Sequence, residues 1–161
     1  MKRRRYALTL VLVLAAMGAH AATLSVGVRQ VSEHEQGALL IELIEQGAMD
    51  AMFQNGHIVF DLSVDPAAEF YTYLAMDQAR RGGAAYAVLF DVSFEVSETR
   101  GLLPSTVAIL LFDAEDEQEL YAGTFAADSI DSFAELDSRA LAEAIGTAAA
   151  ELVVESLAGG Q

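Results

Sequence analysis

The chain has no cysteine and no tryptophan, two prolines among 161 residues, and a single lysine, at position 2. Without cysteine there is no disulfide framework, zinc–thiolate site, thiol nucleophile or amino-terminal lipid on Cys. So little proline, with 53% of residues hydrophobic, excludes wholesale disorder. Positive charge is scarce as well: nine Lys+Arg face 24 Asp+Glu, a net charge of −15. A phosphate backbone needs clustered Lys and Arg, so nucleic acid is excluded as a partner. The length suits one domain with a real core.

What basic charge exists is concentrated at the start. Lys2, Arg3, Arg4 and Arg5 precede an apolar run from Tyr6 to Met17, and Ala19-His20-Ala21 follows with small residues at the −3 and −1 positions. The run is shorter than the roughly 20 residues of a spanning helix. This pattern predicts a signal peptide over residues 1–21, with cleavage after Ala21. A retained anchor is the alternative. The remainder, 22–161, reads as a single acidic α/β domain, periplasmic or secreted, with no membrane span. In it five arginines (Arg29, Arg80, Arg81, Arg100 and Arg139) face all 24 carboxylates, a balance of −19. Drift in base composition with a solubility bias explains that surface, and so does adaptation to high salt.

Leu24, Val26 and Val28 alternate with Ser25, Gly27 and Arg29, which predicts a strand over 24–31. Ser32 and Glu35 have capping-box spacing and predict a helix from there to about Asn55, ended by Gly56. His57–Leu62 reads as a short second strand. Asp65-Pro66 has the chemistry of a helix N-cap and N1, and the helix should run to Arg81, stopped by Gly82-Gly83. Tyr86 to Val96 alternates without a break, predicting a strand buried along one whole face and along half of the other. Turn residues through Pro104 lead to strands over 105–112 and 120–127. A last helix spans 138–157. The order β-α-β-α-β-β-β-α predicts an α/β (α+β) fold: a single mixed sheet of about five strands with three helices mainly on one face.

Three stretches carry a family resemblance: Met52–Val59 and Ala79–Val88, each running from a helix end into a strand, and the hairpin Leu111–Asp113 to Leu120–Gly123. In element pattern they resemble the periplasmic α/β module of the TolB amino-terminal domain, found also in LpoB and CsgG. The lipoprotein members carry a lipidated Cys that is absent here, and no TolB-type propeller follows in this sequence. Envelope tethering and propeller function therefore do not carry over. The resemblance implies a non-catalytic module that contacts other proteins, the partner being another cell-envelope protein.

Candidate sites are few. Asp113, Glu115, Asp116, Glu117 and Glu119 supply the oxygen ligands that Ca²⁺ takes, but without the Asx-Gly turns of an EF-hand loop. They read as a solvated hairpin tip, with a cation site as the alternative. His34 and His57 are the histidines beyond the signal, His34 expected solvated and His57 a partly exposed edge residue. No Gly-x-Ser-x-Gly elbow is present. Gly82-Gly83 precedes a strand, the wrong context for cradling phosphate. Tyr86, Phe90 and Phe94 stand at strand spacing as core residues. No catalytic, cofactor-binding or metal residue is assigned, and no cofactor. The expected function is a non-catalytic extracytoplasmic protein-interaction module. The alternatives are a small secreted hydrolase using His34 or His57, or a cation-binding protein acting through the acidic loop.

Overall fold

The structure, a computed structural model, describes residues 21–31 and 34–159. Apart from Ala21, the expected signal lies outside them. Strands β1 (Thr23–Gln30), β2 (Ile58–Asp61), β3 (Tyr86–Ser97), β4 (Gly101–Asp113) and β5 (Glu119–Ala126) alternate with helices α1 (Gly37–Gln54), α2 (Tyr71–Arg81) and α3 (Ser138–Gly159) in the expected order. They form one mixed sheet ordered β2-β1-β3-β4-β5, with β1 parallel to β2 and β3, and antiparallel pairing beyond.

This strand order fixes where the helices lie. The first crossover steps from β1 out to β2, and the second returns past β1 to β3. Two right-handed crossovers in opposite directions put their helices on opposite faces. Accordingly α1 packs with α3 over Leu24, Val26, Val88, Phe90, Ile109 and Leu111. On the other face α2 makes a smaller core, its Tyr71, Ala75 and Ala79 over Ala87, Leu89 and Phe112. Two helices therefore share one face, and the short α2 covers only part of the other.

Several local expectations need correction. Gln36 holds the α1 N-cap position and makes no side-chain cap, and the helix begins at Gly37; Ser32, the expected cap, lies outside the described residues. Gly37 N–H bonds the His34 carbonyl, closing a turn where the first helical turn was expected. Asp65 caps a turn rather than α2: its Oδ1 accepts the Ala67 N–H at 3.0 Å, and its carbonyl accepts that of Ala68. Pro66 thus fills the second position of a turn, which its fixed φ suits equally well. Pro104 lies inside β4 at the register shift beside Ser93 and Phe94. A ladder irregularity is where a residue without N–H costs least. On β3, burial of the Tyr86–Val92 face fades towards the end, and Val96 is 73% exposed. Gly56, at φ 88°, ends α1 as expected.

Candidate functional site

Strand alternation turns Ser25, Gly27 and Arg29 of β1 towards α2, and register places Arg29 opposite Asp91 of β3. Their side chains form a fork, with Nε donating to Asp91 Oδ1 at 2.6 Å and Nη2 to Oδ2 at 2.7 Å. The Tyr71 ring lies beneath the guanidinium, its centroid 4.5 Å from Cζ. Tyr71 fits because Gly27 has no side chain: a Cβ there would meet the phenol oxygen at 2.6 Å. Burial, with Asp91 and Glu45 adding to it against the opposing pull of Arg29, pushes the Tyr71 phenol up to about 12. It stays neutral and is not poised for proton transfer. The bond to Asp91 holds the Arg29 guanidinium above its usual range.

A cleft of about 350 Å³ opens over this fork, lined by Arg29, Gln30, Val31, Pro66, Ala67 and Asp91. It lies at the carboxyl ends of the parallel strands, where the connections leave for opposite faces, the favoured binding crevice of open α/β sheets. Both Asp91 oxygens already accept Arg29 hydrogens, while Gln30 Oε1, on the cleft lining, is buried without a hydrogen-bond partner. Sequence reasoning missed this cluster. The available signal was a charge of each sign at inward-facing positions of two strands with apolar neighbours.

The sequence candidates are dispersed. His57 is 6% exposed, not an open edge residue, and its Nδ1 accepts the Ala22 N–H at 3.2 Å. It lines a nook of about 150 Å³ with Asn55, Tyr86, Val154 and Leu157. Burial lowers its pKa. His34 is half-buried rather than solvated, edge-on to Phe94 with centroids 6.3 Å apart. In the acidic hairpin Asp113 Oδ1 accepts the N–H groups of Glu115 and Asp116 at 2.9 and 3.0 Å. Glu117, at φ 57°, takes a 3.0 Å bond from Arg80. Among the described residues no three His, Asp or Glu side chains converge to hold a metal ion. A shallow groove of about 570 Å³ between β5 and α3 is lined by Ala140, Ala144 and Ala148 together with Asp131, Glu143 and Glu151.

No protein-family model matches the chain, and no curated protein sequence does. Among solved structures it is similar to the PelC dodecamer from Paraburkholderia phytofirmans, at 16% identity over 86% of this chain and 89% of that one, with a TM-score of 0.50. The comparison also finds TolB from Acinetobacter baumannii at 14% identity, covering 86% of this chain but 29% of TolB, TM-score 0.46. The LpoB C-terminal domain from Escherichia coli is found at 17% identity, covering 70% and 90%, TM-score 0.41. The likeness to PelC shows a shared fold, and TolB and LpoB, which the element order resembles, stand among the structures found.

Proposed function

We propose that the chain is exported to the periplasm or cell exterior and acts there as a non-catalytic interaction module of the cell envelope. One observation carries the reading. Of the ten large apolar side chains exposed among the described residues, five (Ile58, Phe60, Phe70, Tyr73 and Leu74) lie on β2 and the start of α2. Apolar side chains exposed on these two consecutive elements suit a contact site, whereas Arg29 and Asp91 already pair with each other. The PelC structure that shares this fold is a dodecamer, an assembly made through protein contacts. Export rests on the basic start, the apolar run and Ala19-His20-Ala21, and β1 begins at Thr23, just past the expected cleavage bond.

The test is photo-crosslinking in intact cells from Phe60, Glu115 and Ala144, three parts of the surface, with mass spectrometry of the recovered protein. The expected result is a mature chain starting at Ala22 that crosslinks to a discrete protein from at least one position. An intact Met1 overturns export, and three silent positions overturn the interaction reading.

A further inference from the structure

Strand β2 ends one side of the sheet. Ile58 and Leu62 donate their N–H groups inward, to Ala22 and Val26. Alternation therefore turns the N–H and C=O groups of Val59 and Asp61 outward, away from β1. The two side-chain faces of this edge differ in chemistry. Ile58 and Phe60 project on the α2 side and are 56% and 43% exposed. On the α1 side Val59 packs into the core, while Asp61 is exposed within Coulombic reach of Glu45, which Glu42 also faces. None of these three carboxylates has an ion-pair partner among the described residues. Burial first, then Asp61 and Glu42, push the Glu45 carboxyl above its ordinary range.

We propose that β2 accepts an added strand from another protein, an extended segment in which apolar side chains alternate with Lys or Arg. The proposal rests on the interaction-module reading and adds the edge and the partner's chemistry. Outward backbone groups supply the hydrogen bonds of strand addition. Because side chains alternate between faces, one set from the incoming strand meets Ile58 and Phe60 while the other meets Asp61, Glu45 and Glu42. Only an apolar–cationic alternation satisfies both faces. A second copy of this chain fits poorly, because it would bring the same carboxylates against each other.

Three fluorescein-labelled peptides of about six residues, a usual strand length, test this: Val and Lys alternating, the same residues in two blocks, and Val alternating with Glu. In polarisation assays at physiological salt the alternating Val/Lys peptide should bind saturably, the block peptide about tenfold more weakly, and the Val/Glu peptide not at all. Binding should slow hydrogen exchange at the Val59 and Asp61 amides. Phe60→Asp, and Asp61→Pro at this exposed edge, should each weaken binding about tenfold, a loss of the size expected for a central contact or ladder bond. Should Asp61→Pro fail to fold, Asp61→Asn tests the charge alone and should weaken binding severalfold. Equal binding of alternating and block peptides, or no new protection at Val59 and Asp61, overturns the proposal. So does a dimer that Phe60→Asp abolishes. In cells, crosslinks from Ala144 but none from Phe60 overturn the edge while leaving the interaction reading standing.

Discussion

At the scale of single residues, His57 shows how burial and a hydrogen bond act together. Its Nδ1 is an acceptor for Ala22 N–H inside a nook closed by Val154 and Leu157. Protonation would replace that acceptor with a donor facing a donor, and would place charge where water is excluded. The proposed cleavage after Ala21 would turn the same N–H into an ammonium, which would disfavour imidazolium further. The folded pKa thus lies below the unfolded one, so the unfolded chain takes up the proton first as pH falls. Stability is complete above the ordinary imidazole value of about 6.5 and is lost as pH falls through the lowered folded value. The thermal midpoint should therefore drop as pH falls below about 6.5, and His57→Gln, which keeps an acceptor, should flatten the drop. A variant that follows the parent curve assigns the dependence elsewhere. Sequence reasoning placed His57 at an open edge because the residues that bury it lie about a hundred positions away, on α3.

At the scale of elements, two glycines decide how closely α1 and α3 approach. A Cβ on Gly146 would meet the Ile44 carbonyl oxygen, and would lie 3.0 Å from the Ala48 nitrogen. A Cβ on Gly47 would meet the Glu143 carbonyl. These contacts are with backbone, which cannot rotate aside. Gly146→Ala improves helix propensity by about 1 kcal/mol. Forcing packed helices apart costs typically 1–3 kcal/mol, so the packing term should prevail. The expected result is a net loss of up to about 2 kcal/mol in denaturant unfolding; an unchanged or raised midpoint would mean the helices part freely. Elements themselves were legible in the sequence. Both helices were readable from their apolar spacing, but the contact between them was not, since a glycine in a helix does not announce its neighbour. The start of α2 was misread for a related reason: an Asp-Pro pair serves a turn and a helix cap alike, and only Tyr71 settling under Arg29 shows where the helix begins.

For the whole molecule, charge governs the response to solution conditions. Of the five arginines beyond residue 21, Arg29, Arg80 and Arg81 pair with carboxylates, while Arg100 is held by the Phe133 and Leu136 carbonyls. These five arginines stand against 24 carboxylates, so most carboxylates have no cation to pair with. Folding brings them together, so salt should relieve part of the repulsion. The Debye length falls from about 10 Å at 0.1 M to about 3 Å at 1 M. The exposed Arg80 and Arg81 pairs lose strength as well, but such pairs contribute little. The thermal midpoint should rise from low salt to 1 M NaCl by more than a neutral osmolyte raises it, and a flat midpoint excludes the effect. In the acidic hairpin Arg80 already offsets one charge, so the response there should be smaller than five carboxylates in seven residues suggest.

The sequence by itself determined the element order, the strand faces, the acidic character and the export pattern, because each is written in neighbouring residues: a period of two or near four, a glycine at a helix end, a run of one charge. Tertiary structure decided which sheet face α2 covers, the pairing of Arg29 with Asp91 above Tyr71, the burial of His57 and the exposure of the β2 edge. Each of these depends on groups 35 or more positions apart that meet only through strand order and crossover handedness, and no local periodicity specifies such a meeting.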